Sequence, residues 1–392
     1  MNDEKLIPKL RFSGFTDEWI IKKLNDVSDV NPKTRELPEK FIYIDLDSVN
    51  HGILTKFNQI NKNDAPSRAQ RCLDVNDILF QTVRPYQMNN LFFELYDGEY
   101  VASTGYAQIK SKIVPRFLYY YLHYNKFVNE VLNRCTGTSY PAINSNDLKK
   151  IKIKIPSSSN EQKLIGDLFY KLDQKIELLK DKYHYYQDFK KFLMHQIFAQ
   201  KLRFNFTDEW EKYLLGDISS IGKGFTPSTG NPSFWDGDLK WLSIADMNQG
   251  KYINQTTKKI TSDGSKNKEP VKKGTLLMSF KLSIGKLGIL TEDMYTNEAI
   301  CNFKWKNKDV LTEYMYYYLS SINILKYGSQ AAKGITLNNE TLSTIPVLLP
   351  SNEEPKKIIN ILSDVDLKIN MLENSINDTS KFKKGLLQQM FI

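Results

Sequence analysis

The residue clusters that could do covalent chemistry in this chain each lack a part. Asn231-Pro232-Ser233-Phe234 approaches the Asn-Pro-Pro-Phe turn with which methyl-transferring enzymes hold an amine. The second proline is missing, and no glycine-rich cofactor loop with a following acidic residue precedes it. Asp236 and Asp238, followed by Lys240, resemble part of a nuclease metal site but come without a strand context or a distant acidic partner. Gly222-Lys223-Gly224 is not a phosphate-binding loop, because neither Gly-Lys-Ser nor Gly-Lys-Thr occurs there. His51, His123, His184 and His195 show no metal-ligand spacing with cysteine. Cys72, Cys135 and Cys301 are scattered and odd in number, which fits a reducing compartment without a disulfide framework.

What remains is recognition chemistry. In the first half, Arg84, Tyr86, Gln87 and Asn89 follow an apolar run ending at Phe80, and Arg134, Thr138, Ser139 and Tyr140 precede Ile143. In the second half, Lys223 and Thr226 lie in a glycine-rich loop, Lys281, Ser283 and Lys286 follow Ser279, and Gln330 and Lys333 precede Ile335. Arg, Lys, Gln and Asn can bond base edges, whereas Ser, Thr and backbone amides more often hold phosphates. The charge balance agrees: 54 Lys and Arg against 45 Asp and Glu give +9, which favours a polyanionic partner.

These loops need a scaffold, and the scaffold is written twice. Leu10-Arg11-Phe12-Ser13-Gly14-Phe15-Thr16-Asp17-Glu18-Trp19 returns, one residue shorter, as Leu202-Arg203-Phe204-Asn205-Phe206-Thr207-Asp208-Glu209-Trp210. Further on, Glu161, Asp173 and Phe198 recur as Glu354, Asp366 and Phe391, always 193 positions later. Each copy ends in a long helical pattern with apolar residues spaced by three or four: Ile165, Leu168, Leu172, Ile176 and Leu179 in the first, Ile358, Ile361, Val365, Ile369 and Leu372 in the second. The first would be about 60 Å long at 1.5 Å per residue. A lone helix would leave its stripe in water, so the spacing predicts that the two helices cover each other in antiparallel fashion, as internal two-fold symmetry requires. Ahead of each helix, short apolar runs between Pro, Asn, Asp and Gly indicate strands and turns, with aromatic helices at Phe117–Leu122 and Tyr314–Leu319.

Taken in order, these features resemble the specificity subunit of type I restriction–modification systems. The resemblance covers essentially the whole chain, through both Leu-Arg-Phe…Trp openings, the strand at Asn76 to Phe80 and the Pro…Glu-Gln-Lys-Leu-Ile entry to the first helix. It departs at Pro355, where the first copy has Gln162; a proline in the first helical turn is tolerated. The family implies an α+β fold with two mixed α/β target-recognition domains, each reading half of a split double-stranded DNA site, joined by two long antiparallel coiled-coil helices in an internal pseudo-two-fold repeat. It implies two modification subunits carrying S-adenosylmethionine and restriction/motor subunits using ATP and Mg2+, with no cofactor or metal in this chain. The expected divisions are 1–155 and 201–350 for the recognition domains, and 156–200 and 351–392 for the helices. Joining two readers makes the second encounter intramolecular, and half-sites one turn apart, about 34 Å, face the same side of a duplex.

No segment approaches the roughly 18 apolar residues of a membrane span, and the opening residues lack a signal peptide's pattern, so a cytoplasmic location is expected. Two other readings stay open at this level: a methyltransferase or nuclease whose motifs are unrecognised, and a coiled-coil adaptor with no nucleic-acid role.

Overall fold

The computed structural model describes residues 5–281, 283–331, 334–351 and 353–392. It divides into two compact units, residues 1–181 with 373–392 and residues 182–372. The dividing line runs through both long helices, Ser159–Phe198 and Glu354–Met390, so each unit holds the beginning of one and the end of the other.

In the first unit, a four-stranded sheet takes the order Asn58–Asn61, Lys40–Ile44, Tyr100–Ser103, Ala69–Cys72. A second runs Ser28–Val30, Tyr106–Ser111, Ile78–Gln81, Leu91–Phe92. Ile78–Gln81 is buried along its whole length, which explains why Ile78 to Phe80 read as an apolar run rather than an alternation. A separate antiparallel pair joins Ile20–Lys23 to Lys152–Ile155, with Ile21 opposite Lys154. The second unit repeats the plan with a five-stranded sheet centred on Ile300–Trp305 and Leu276–Ser279, a three-stranded sheet around Trp235–Leu242, and the pair Glu211–Leu214 with Pro346–Leu349. The mixed α/β architecture, the two long helices and the repeat are those expected from the sequence.

Each unit is fastened at its helix start by a buried carboxylate. Glu161 accepts from Arg11 Nε at 2.7 Å, Arg11 Nη2 at 2.8 Å and Trp19 Nε1 at 3.3 Å. In the other unit, Glu354 accepts from Arg203 Nε at 2.7 Å, Arg203 Nη2 at 2.9 Å and Trp210 Nε1 at 2.9 Å. The duplicated phrase therefore has a physical purpose: its Arg and Trp neutralise and cap the acid that opens each helix. A carboxylate in the first turn also suits the positive end of the helix.

One level further along, a second matched contact sets helix direction. In the first unit Asp173 accepts from Tyr120 Oη at 2.8 Å and pairs with Lys383. In the second, Asp366 accepts from Tyr317 Oη at 2.6 Å and pairs with Lys190 at 2.5 Å. Within the first unit Phe391 also stacks on Phe169, 5.7 Å between centroids, and meets Trp19, Phe117 and Tyr121. As the first helix descends from Asp173 to Phe169 its neighbour climbs from Lys383 to Phe391, so the stretches are antiparallel. Phe198 fills the equivalent place in the second unit, against Tyr314 and Tyr318.

The seam differs from the expected narrow stripe in one respect. Ile165, Ile176, Ile358, Val365 and Leu372 are buried, while Leu168, Leu172, Leu179, Ile361 and Ile369 are half-buried. The fully buried positions next to Ile165 and Ile358 are Phe169 and Leu362, themselves 193 apart. The buried face is rotated because the first turns pack against the recognition module as well as against a helix. At Gly166 an added Cβ would lie 2.9 Å from Phe117 N, a contact with backbone that leaves no room for a side chain.

Glu161→Ala should destabilise the first unit by about 3–5 kcal/mol, because it strands a guanidinium and an indole N–H away from water. Chemical unfolding of Glu161→Ala, Arg11→Met and the double variant checks this: the double variant should lose less than the two single losses added together. Simple additivity would show that the groups do not act as a unit.

Candidate nucleic-acid interface

In the first unit, two adjoining grooves of about 920 and 650 Å3 open where loops from both sheets converge. They share Leu46, Asp47, Arg68, Val83 and Tyr140, so they form a continuous surface. Four of the sequence-selected residues, Arg84, Gln87, Asn89 and Tyr140, line it. Tyr86 is exposed on the same single-turn helix, Pro85–Gln87, and Thr138 and Ser139 are exposed on the loop that delivers Tyr140. Arg134 is elsewhere: it pairs with Glu130 and lines a separate depression with Lys126, Lys150, Lys152 and Lys154.

The groove loop is held by two buried amides that sequence reasoning passed over. Gln81 Nε2 donates to Val83 O and Gln87 Oε1, both at 2.8 Å, while Gln81 Oε1 accepts from Asn89 N at 3.1 Å. Asn90 Oδ1 accepts from Gln81 N at 2.8 Å, and Asn89 Oδ1 accepts from His51 N at 3.1 Å. The Gln87 and Asn89 acceptors are thus engaged within the protein. Beneath them, His123 Nδ1 donates to Tyr119 O at 2.8 Å, which leaves Nε2 as the acceptor for Asn90 Nδ2 at 3.3 Å. The signal in the sequence was weak: Gln and Asn flank a loop, and nothing marks them as buried.

The backbone at Arg84 is left-handed, with φ of 54°, and Arg84 N donates to Pro141 O at 2.7 Å. That bond, with the Val83–Ala142 bridge, docks the loop carrying Tyr140 beside the loop carrying Arg84. The guanidinium then lies over the Tyr140 ring, 4.1 Å from its centroid.

The second unit places its selected residues differently. Lys281, Ser283 and Lys286 lie in the connection between Leu276–Ser279 and Leu287–Leu290. Ser279 organises it, donating to Ser283 O at 2.5 Å and accepting from Lys286 N at 3.0 Å. Lys223 ends a strand opposite Cys301, and Thr226 accepts from Asn297 Nδ2 at 3.0 Å. Gln330 belongs to the strand Ser329–Ala331, while its side chain and Lys333 lie outside the described residues.

The clusters considered for catalysis are occupied otherwise. Asn231 Oδ1 accepts from Ser233 N at 3.1 Å and Ser233 Oγ at 2.8 Å, closing its own turn. Asp236 and Asp238 do lie on a strand, Trp235–Leu242, contrary to the sequence expectation, but Lys240 on the same strand pairs with Glu292 at 2.5 Å. Among the described residues, no group of three or more His, Cys, Asp or Glu is arranged to hold a metal, and no helix is long and apolar enough to cross a membrane.

Comparison with known proteins mirrors the repeat. The family described as "Type I restriction modification DNA specificity domain" matches residues 16–184 and again 207–379. The HindI type I restriction enzyme specificity subunit of Haemophilus influenzae is 22% identical over 402 residues, spanning 81% of this chain and 86% of that protein. A solved specificity subunit from M. genitalium superposes with a TM-score of 0.62 at 16% identity, over 98% of this chain and 99% of its own. A chain from a structure on complex assembly and conformational transition of the type I R-M system gives 0.64 at 18% identity, over 95% of this chain and 97% of its own.

Burial lowers the His123 pKa from 6.5 to about 4, helped by Lys383 and opposed by Asp173. The unfolded chain therefore takes up this proton first. Above pH 6.5 the group leaves stability unchanged, and stability falls as pH drops from 6.5 towards 4. The full effect is about 3 kcal/mol at most. A His123→Gln variant should show a shallower loss of urea-unfolding free energy across that range, and matching slopes would refute the assignment.

Proposed function

The chain belongs to the type I restriction modification DNA specificity family, and from that premise we propose that it reads a double-stranded DNA target in two parts, one through each unit. The chain is the specificity subunit and not the enzyme. In this reading two modification subunits bring S-adenosylmethionine, restriction/motor subunits use ATP and Mg2+, and the assembly works in the cytoplasm.

One observation carries the two-part reading: a common framework supports different loops. The buried strand Ile78–Gln81 of the first unit corresponds to Leu276–Ser279 of the second, and the loops that leave these two strands differ in kind, an amide-held groove in one and a serine-held turn in the other. A framework kept and loops varied is what two readers of different sequences need. The adaptor alternative gives no reason for that contrast.

Exposed phenylalanines at matched places support docking of paired partners. Phe189 and Phe382 are 193 positions apart, one in each unit, and both are exposed on long helices. An exposed apolar group repeated in register fits a partner present in two copies.

Two experiments check the proposal in the assembled complex. Replacing residues 31–112 with the corresponding segment of a relative should change one half of the methylated target and leave the other intact; a target unaltered by the exchange, or altered in both halves, would contradict it. For docking, Phe189→Asp or Phe382→Asp should each reduce bound modification subunits from two to one by native mass spectrometry, and the double variant to none. Full occupancy in the double variant would remove these residues from the interface.

A further inference from the structure

Of the eight arginines, seven lie in the first unit, and the eighth, Arg203, has its Nε/Nη2 edge held by Glu354. Within the first unit Arg11, Arg35, Arg116 and Arg134 each have a carboxylate partner. Among the described residues, Arg68, Arg71 and Arg84 have none. Arg71 lies on the strand Ala69–Cys72 and does not line the groove, whereas Arg68 and Arg84 do. Arg68 is exposed, and among the described residues no ring lies beneath it. Arg84 is tethered: its backbone is tied to Pro141, its Cζ lies over the Tyr140 ring, and its Nε–H is shielded from water without an acceptor. An oriented guanidinium with an unanswered donor is incomplete until something planar and accepting arrives.

The groove wall also says which acceptor that is. Asp47 is exposed on it beside Asp45, and Asp45 Oδ1 is occupied by Ser48 Oγ at 2.6 Å and Asp47 N at 3.1 Å. A surface that sets Asp45 and Asp47 among Arg68, Arg84 and Lys56 attracts a run of phosphates less than an unmixed basic face would. It suits a base pair in the major groove, where guanine offers O6 and N7 to Arg and cytosine offers an N4 amine to Asp.

We infer that Arg84, seated over the Tyr140 ring, is the guanine-reading residue of this chain, so that the half-site read by the first unit contains a G·C pair selected by Arg84. Arg203 is committed to its helix, so the second unit reads its half-site without arginine. The inference rests on the two-part DNA reading and adds which unit and which base.

The test uses the full chain with its modification subunits. Wild type, Arg84→Lys, Arg84→Gln and Tyr140→Leu are compared by methylome sequencing and by binding to duplexes carrying each base at every target position. Lys and Gln keep a Cβ at the same left-handed backbone, and methylation through the unchanged half-site reports that each variant is folded. The expected result is loss of preference at a single G·C pair in one half-site, about tenfold or more for Arg84→Gln, with the other half unchanged. Tyr140→Leu, which keeps Arg84 but removes its platform, should soften the same position. A uniform drop in affinity with the target sequence intact, and a salt dependence reduced by about one phosphate, would make Arg84 a backbone contact and overturn the assignment alone. Unaltered binding and target would overturn it equally. A wild-type complex whose methylation lacks sequence preference, or does not need this chain, would bring down the two-part reading itself.

Discussion

A carboxylate removed from water must be answered where it sits, and the fold is arranged around two such acids. Glu161 and Glu354 are both 1% exposed at the start of their helices, each answered by an Arg and a Trp from an opening phrase about 150 residues earlier. Leaving either unpaired would cost more than most single contacts contribute. The acid therefore makes chain entry, sheet pair and helix start one cooperative piece. Where a hydrophobic contact would tolerate some slippage, a bidentate Arg–carboxylate pair with a third donor fixes register.

From that fixed start, the helices close the units. The aromatic core of the first unit is completed by Phe391, and that of the second by Phe198, each at the far end of the helix that began in the other unit. Neither aromatic cluster is complete without a residue from the other copy. The polar pairs Asp173–Lys383 and Asp366–Lys190 follow the same exchange. The second unit adds a nearly buried ammonium, Lys251, bonded to Tyr317 Oη at 3.2 Å and Ser363 Oγ at 3.0 Å, with its pKa lowered chiefly by burial.

The sequence made the repeat, the long helices and the fully buried strands legible, since each leaves a local trace: a phrase, a period of three or four, an unbroken apolar run. It placed Leu168 and Ile361 on the seam, where the structure gives the deepest positions to Phe169 and Leu362. A periodicity marks a face but cannot tell whether one neighbour or two will cover it. The clamps were visible as repeated letters and invisible as contacts, because Arg11 and Glu161 are 150 positions apart and no local rule pairs them. The groove was half legible for the same reason. Arg84 and Tyr140 were both selected as loop residues, but their stacking depends on Val83 meeting Ala142, which is a matter of tertiary structure. Arg134, chosen with them, sits in the turn that follows the helix Asn125–Leu132 and lines a different depression.

That separation of Arg134 from Arg84 bears on how affinity and specificity divide. The depression around Arg134 gathers Lys126, Lys150, Lys152 and Lys154, with Glu130 as the lone acidic side chain lining it. Charges of this kind attract a phosphate backbone without regard to sequence, and their contribution fades with salt. In the second unit the strand positions matching Lys152 and Lys154 are Pro346 and Leu348, so this basic face is not part of the shared framework. The groove around Arg84, by contrast, mixes signs and spends its buried amides on loop geometry. A protein that placed its positive charge and its ordered donors on the same surface would bind every sequence nearly as well as its target. If the groove reads bases as proposed, setting strong, unselective attraction apart from a weakly attractive but ordered surface would let a mismatch cost its full share of the binding free energy.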